Sequence, residues 1–381
     1  MYENIFETKI FFMYNQRLPF HKYILPATIL MMILSCSKQN ITPVMPEQKT
    51  ASNLTVGGPP SIIAWLRGPV IPAALPNQPT TGRFGAFSFA INGKGYVGAG
   101  IPTSNGNDVW QYDTTTRTWS QVSDFPGKAR CLSSSFVIDN NAYVCTGSIN
   151  TFFDQDVKEN WQYNQPTNAW TKKTNFPGKA RSAAVAQMVN GKGYVGTGGI
   201  AADGDPDKSG TNDWWQYDPV NDSWTQKASI PGSPRAGAAS FTATSTLGVT
   251  KIYVCAGGNS VDVDGGINLY NDLWEYNPSS DSWRQRASLP GSARAFPVGI
   301  TAISSGIVGT GFINPSQYGA LNDCWEYFQS SNTWQQLPNI PGQRWGAMGF
   351  ALGNTIYIGT GEILPGNLGN DFWGLTFPST P

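Results

Sequence analysis

The sequence predicts an all-β protein in which six copies of one four-stranded unit close into a ring, and three observations carry that prediction. Glycine and aromatic residues are abundant, with 42 Gly and 13% Phe, Trp and Tyr in 381 residues, whereas only 13% of residues are charged. One phrase recurs, as NDVWQYDTTTRTW from Asn107, NDWWQYDPVNDSW from Asn212, NDLWEYNPSSDSW from Asn271 and NDCWEYFQSSNTW from Asn322. The spacing between landmarks is constant everywhere except in one segment of each repeat. The chain is long enough for two average domains, but a repeat array runs to this length as one.

Each repeat opens on an arginine: Arg83, Arg130, Arg181, Arg235, Arg294 and Arg344. An apolar first strand follows, then a tight turn of the NGKGY kind, then a second strand carrying Tyr96, Tyr143, Tyr194, Tyr253, Ile307 or Tyr357. The third strand carries Trp110, Trp161, Trp215, Trp274, Trp325 or Trp373, and the fourth Trp119, Trp170, Trp224, Trp283 or Trp334. Every run is short, rich in aromatic and β-branched residues, and bounded by Gly, Pro and Asn, which is the pattern of a strand.

From arginine to second-strand landmark the offset is 13 in five repeats and 18 in the fourth. From third-strand Tyr to fourth-strand Trp it is always 7, and from that Trp to the next arginine it is 11 or, once, 10. Constant offsets mean fixed registers in tight hairpins, because a slip of one residue would turn every side chain to the other face. Only the step from second-strand landmark to third-strand Trp varies freely, as 14, 18, 21, 21, 18 and 16. That connection is a loop of adjustable length on a fixed frame.

Six such units make a six-bladed β-propeller over residues 61–381. The sixth repeat stops after its third strand, at NDFWGL, and the missing fourth strand is expected in IIAWLRGPV, with Trp65. The N-terminal strand thus closes the last blade. Of the 14 tryptophans, 12 occupy the two framework positions, where their rings are expected to fill the wedge between neighbouring blades.

Arginine, apolar strand, Tyr-Val-x-x-Gly-Gly, long loop, Asn-Asp-x-Trp-x-Tyr, turn and Trp together resemble the kelch repeat. The paired glycines persist as Gly198-Gly199 and Gly257-Gly258; elsewhere the second is Ile101, Ser148, Phe312 or Glu362. The resemblance implies a kelch-type propeller. Because that family includes galactose-oxidase-type enzymes, sialic acid epimerases and protein-binding adaptors, it implies little about activity.

Strand direction puts the six arginines and the six variable loops on one face. The third strands begin there with Asp108, Glu159, Asp213, Asp272, Asp323 and Asp371, so a ring of ion pairs is expected around the channel mouth. Two roles remain open for the arginines: tying the frame together, or holding a carboxylate or sugar acid. Binding residues gather on loops, and Phe152, Phe153, Tyr270 and Tyr318 fall there. Trp345, outside the framework set, is expected near the channel mouth, where its indole would stack on a sugar or a partner side chain. Asp203, Asp205 and Asp207 alternate as calcium ligands do, but Lys208 stands where such a loop needs Gly and no Glu closes the site; a solvated acidic loop is the competing reading.

The single histidine, His21, lies in the N-terminal targeting segment, so the mature chain has none for a base, a Ser-His-Asp triad or a copper site. Copper oxidase chemistry is thereby set aside. An isomerising enzyme using Glu362 or a loop Asp as acid or base stays open. Net charge is zero, which argues against nucleic acid as a partner.

Residues 1–36 read as a signal peptide: Lys9, Arg17 and Lys22 precede an apolar run from Tyr23 to Leu34 that is too short for a stop-transfer helix. Met13 is an alternative start. Ile33-Leu34-Ser35-Cys36 resembles a bacterial lipobox, in which the cysteine is lipidated, and Ser37 after it resembles lipoproteins sent to the outer membrane. Residues 37–60, polar and rich in Pro and Gly, read as a flexible tether. The remaining cysteines are expected as buried thiols, since Cys145 and Cys255 hold equivalent positions in different repeats. The expectation is a monomeric propeller, lipid-anchored at the bacterial envelope, that recognises a glycan or a protein partner and needs no cofactor. A carbohydrate epimerase or mutarotase in the central funnel and a non-catalytic scaffold are the alternatives.

Overall fold

The Asn92-Gly93 and Asn190-Gly191 pairs have positive φ at both residues, 48° and 75° in the first and 53° and 70° in the second. That is the turn whose twist matches paired strands, and it joins Phe87–Ile91 to Lys94–Gly98 and Val185–Val189 to Lys192–Gly196. The computed structural model describes residues 64–72, 82–101, 106–149, 155–200, 209–261, 267–313, 319–364 and 367–378.

Six antiparallel sheets of four strands result. Blade 1 is Phe87–Ile91, Lys94–Gly98, Val109–Asp113 and Thr118–Val122. Blades 2 to 5 repeat that order, with first strands at Ser134–Ile138, Val185–Val189, Ala239–Thr244 and Val298–Thr301. Blade 6 consists of Met348–Leu352, Thr355–Gly359 and Phe372–Thr376. Its outer strand is Leu66–Arg67, antiparallel to Phe372–Thr376 with Leu66 opposite Gly374. The closure expected from the sequence is therefore present, made by the N-terminal strand.

Successive first strands contact one another and line the axis, and burial falls outward to exposed fourth strands. Between blades the core is tyrosine on tyrosine. The second-strand ring of one blade meets the third-strand ring of the next in Tyr96–Tyr163, Tyr143–Tyr217, Tyr194–Tyr276, Tyr253–Tyr327 and Tyr357–Tyr112, with centroids 5.1–5.7 Å apart. The last of these joins blade 6 to blade 1. Where blade 5 carries Ile307, blade 6 answers with Leu375, and both are buried in one aliphatic cluster.

The framework tryptophans pack between blades as expected, Trp119 against Phe372, Trp170 against Phe87 and Trp283 against Trp214 with centroids 5.1–6.3 Å apart, and they also do more than fill the wedge. Trp65 apart, all are half-buried, and their indole N–H groups are spent in two regular ways. Third-strand indoles donate to the acid two residues earlier, as Trp274 does to Asp272 at 2.6 Å. Fourth-strand indoles reach back to a carbonyl of the preceding blade: Trp119 to Pro69, Trp170 to Ser123, Trp224 to Thr174, Trp283 to Ala228, Trp334 to Ala287 and Trp65 to Pro338, at 2.6–3.3 Å. Each blade is thus stapled to its neighbour around the rim. Among tryptophans, Trp214, outside the framework pattern, is the fully buried one.

Candidate functional site

All six opening arginines are at most 1% exposed. Five grip the predicted Asp with both guanidinium arms; Arg294, for instance, donates to the two Asp323 oxygens at 2.6 and 2.7 Å. Arg130 pairs with Glu159. One Nη1 also donates to the carbonyl that ends the second strand of the same blade, from Ala99 in blade 1 to Thr360 in blade 6. Burial alone would raise the carboxyls of Glu159, Asp213, Asp272, Asp323 and Asp371. The hydrogen bonds and charge of the paired arginine, helped by the third-strand indole, more than offset it and hold all five below the ordinary range.

The carbonyl each arginine holds belongs to a residue in the left-handed region, and a glycine follows it. At Thr197-Gly198 the φ values are 57° and 96°, and a Cβ on Gly198 would stand 2.8 Å from the Ser182 carbonyl oxygen. That explains why the first glycine of the pair is kept in all six repeats while the second varies. The first glycine's N–H then donates to the next blade's arginine carbonyl, in six bonds of 2.8–2.9 Å that end with Gly361 on Arg83. The ion-pair ring and the ring of blade-to-blade bonds are one structure.

Two residues after each arginine a second ring closes. Gly85 donates to Gly346, Leu132 to Gly85, Ala183 to Leu132, Gly237 to Ala183, Phe296 to Gly237 and Gly346 to Phe296, at 2.7–3.2 Å, all six with φ of 52–61°. This collar narrows the axis at the loop face. On its outer side sits an apolar plug of Phe84, Leu132 and Phe296 with the half-buried Trp345, whose ring is 4.6 Å from Phe84, 5.5 Å from Phe296 and 5.1 Å from Phe312. On its inner side the channel holds about 360 Å³, lined by small residues and hydroxyls including Ser88, Ser135 and Ser240. None of the lining side chains is titratable.

The structure therefore brings Trp345 to the channel mouth, packed against three phenylalanines. Tyr270 lies half-buried at the loop edge with its ring over the Arg235 guanidinium at 5.0 Å. Glu362 is half-buried and exchanges backbone hydrogen bonds with Trp345. No guanidinium edge of Arg83, Arg130, Arg181, Arg235, Arg294 or Arg344 is exposed. Phe152, Phe153, Tyr318, Asp203, Asp205, Asp207 and Cys36 lie outside the described residues. Among the described residues no group of His, Cys, Asp or Glu is gathered for a metal ion. The four cysteines from Cys131 to Cys324 are buried free thiols, with burial pushing Cys145 and Cys255 up to about 12.

Sequence reasoning missed two features. Phe84 and Phe296 are not among the repeat landmarks and Phe312 stands only where a second glycine is replaced; closure of the ring gathers all three around Trp345. Lys128, Lys158 and Lys179 are exposed on the loop face around blade 2, outside the repeat landmarks. Their common signal was a cation in a connector with no acid at a repeat-matched position.

A six-bladed ring with one arginine-bound glycine per blade defines a class of propeller, and the comparisons with known proteins name it. A kelch motif matches residues 250–290. N-acetylneuraminate epimerase of Yersinia enterocolitica is 24% identical over 270 residues, which is 60% of this chain and 66% of that protein. Kelch-like protein 35 of Mus musculus is 28% identical over 219 residues, 57% of this chain and 33% of that one. The solved structure of YjhT superposes with a TM-score of 0.64 at 20% identity, covering 81% of this chain and 97% of that one. The matched segment spans about two thirds of the length of the epimerase it resembles. The chain is a six-bladed β-propeller that carries a kelch motif and shares its fold with the kelch-type propellers it resembles.

Proposed function

We propose that the protein is an envelope-anchored recognition module whose loop face binds a carbohydrate. The observation that carries this reading is the chemistry left at the axis: the arginines are consumed inside the blades, the channel lining holds no titratable group, and the mouth offers the half-buried Trp345 indole, backed by the buried Phe84, Phe296 and Phe312. Aromatic rings of this kind receive the apolar face of a sugar. The epimerase names of the relatives support an N-acetylneuraminate-like sugar as the class. Its carboxylate would be met by Lys128, Lys158 or Lys179 rather than by a ring arginine. Cys36 supplies the anchor in this reading.

A glycan array probed with the purified chain tests it. Binding to sialylated glycans that falls at least tenfold in Trp345→Ala, and is largely kept in Trp345→Phe, is the expected result. A blank array on folded protein overturns it and turns attention to protein partners. The second reading, an epimerase, is favoured by Glu362 lying beside Trp345 and by those same relatives. Proton NMR of free N-acetylneuraminate separates the two. Interconversion of its epimers accelerated by the protein, and lost in Glu362→Gln, would replace recognition by catalysis.

A further inference from the structure

The face opposite the loops carries the short turns, and it is not uniform. Among the described residues the exposed large apolar side chains are Leu66 on the outer strand of blade 6, Val70 just beyond it, and Met188, Val220, Leu247, Val249 and Ile303 at the turn face. Leu247 is 89% exposed and Ile303 72%. The first hairpin of blade 4 is the one whose arginine-to-tyrosine offset is 18 instead of 13. Its extra length is Ser245–Val249, carried out over blade 5. The Thr244 N–H donates to the Ser304 carbonyl at 3.1 Å, the Thr246 N–H to Ser330 Oγ at 3.4 Å, and Gln329 Nε2 to the Val249 carbonyl at 3.3 Å. Leu247, Val249 and Ile303 are thereby braced into one patch.

Charge divides the same face. The turns of blades 1 to 3 carry Lys94, Asp113, Arg117, Asp139, Lys192, Asp218 and Asp222, and blade 4 adds Lys251 beside its first hairpin and Asp281 in its second turn, whereas Ser245–Val249, Ala302–Ser305 and Gln329–Asn332 themselves hold no charged side chain. Uncharged, hydroxyl-flanked and apolar at its tips, the patch suits a surface whose outer layer accepts hydrogen bonds and whose inner layer is hydrocarbon. The chain's own path points the same way. Because Leu66–Arg67 runs toward the loop face, with Gly68 N–H bonded to Phe372 and Ile71 N–H to Asn370, Ala64 enters the propeller at the turn face. Residues 37–63 join that point to Cys36.

We propose that the turn-face patch of Leu247, Val249 and Ile303 seats on the lipid surface in which Cys36 is anchored, so that the propeller lies with blades 4 and 5 toward the membrane and the loop face away from it. This rests on the anchor reading for its geometry, but the contact itself is a property of the patch. The anchor fixes distance; the patch fixes orientation.

The test uses the full chain in vesicles of phosphatidylethanolamine and phosphatidylglycerol. Three variants, Leu247→Cys, Ile303→Cys and Gln343→Cys, each receive an environment-sensitive fluorophore, the native cysteines of the propeller being buried. Gln343 is exposed on the loop face and serves as the reference. The expected result is blue-shifted emission at 247 and 303, quenched by spin-labelled lipid, with no change at 343. Protein that floats with the vesicles while 247 and 303 stay water-like overturns the seating and leaves the anchor intact. The mass of the N-terminal peptide reads acylation of Cys36 separately. If it is absent, a blue shift at 247 on adding vesicles still supports the contact, and none overturns it. Protection of 247 that rises with protein concentration without lipid overturns the proposal in favour of a second copy of the chain.

Discussion

The two faces of the propeller both use ion pairs, and they use them differently. On the loop face Arg181 reaches Asp213 with its guanidinium 1% exposed, and the pair recurs in every blade. On the turn face Lys192 meets Asp218 at 2.7 Å with side chains 33% and 25% exposed. That pair recurs only in blade 1, as Lys94 with Asp113; blade 2 has Asn141 and Asn164 in the same register. A buried, forked pair that also holds a carbonyl in the left-handed region cannot be given up by one blade without losing its bond to the next. An exposed lysine pair is optional. The loop face is therefore the frame on which loops vary, and the turn face is where a single blade has been free to lengthen a hairpin.

The sharpest way to break this comparison is Arg294→Ala. It leaves the half-buried Asp323 without its cation and frees the Thr310 carbonyl inside the blade, so we expect a loss of about 3 kcal/mol, the low end for a broken buried pair, and a fall in the melting temperature on the order of ten degrees. Differential scanning calorimetry reads it, and a fall of only a degree or two would mean that the ring is ornamental. The same groups set the acid limb. Carboxyls held below their ordinary values contribute stability that is complete above that ordinary range and is lost as pH falls through the lowered values. The melting temperature should drop steeply below about pH 4, and less steeply in Arg294→Ala.

Next in size is Gly346→Ala in the collar. Ala183 already adopts φ of 53° at the equivalent position, so backbone conformation alone does not forbid the change. The obstacle is Phe84, whose Cε2 would lie 2.0 Å from the new Cβ. We expect about 2–3 kcal/mol lost through displacement of the plug, with Phe84→Ala in the same chain restoring part of it. If the double variant is no more stable than Gly346→Ala alone, the plug and collar are not packed as one.

How much of this was legible follows from period and repetition. Offsets of 13, 7 and 11 repeat because registers repeat, so strand order, ion-pair partners and closure by Trp65 could be read directly. What could not be read is set by ring closure. Phe84 and Trp345 are far apart in sequence, and only blade 6 meeting blade 1 puts them 4.6 Å apart. The indole staples could not be read, because the tryptophan spacing is the same whether the indole N–H is idle or reaches a carbonyl of the preceding blade. For the arginines the sequence predicts the ion-pair ring and leaves a ligand role open beside it, since a repeat shows that a residue is required but not whether its charged end is fully engaged.

On the turn face Lys192→Ala sharpens the contrast from the other side. Its melting temperature should stay within about a degree of the parent, and the small difference should vanish in high salt. A loss as large as that of Arg294→Ala would erase the distinction between the faces.

The smallest effect, and one of opposite sign, is expected at Glu326. This third-strand position is Gln111, Gln162 and Gln216 in blades 1 to 3, and Glu275 in blade 4 is met by Tyr253, Arg284 and Arg286. Glu326 lies opposite Ile307, which has nothing to donate, and among the described residues it receives the Ser305 hydroxyl at 2.6 Å. Burial pushes its carboxyl above the ordinary value, and Ser305 offsets that in part. A raised carboxyl contributes stability that is complete below its unfolded value and is lost as pH rises through the folded one. At pH 7 wild type therefore carries a cost that Glu326→Gln removes, so the variant should melt about a degree higher, and the gain should close as pH falls below about 4. Paired melting curves at pH 4 and pH 7 check it. A variant that is less stable at pH 7 would mean that the carboxylate is compensated after all, and that the turn-face half of blade 5 holds a charge partner as effective as the arginines opposite.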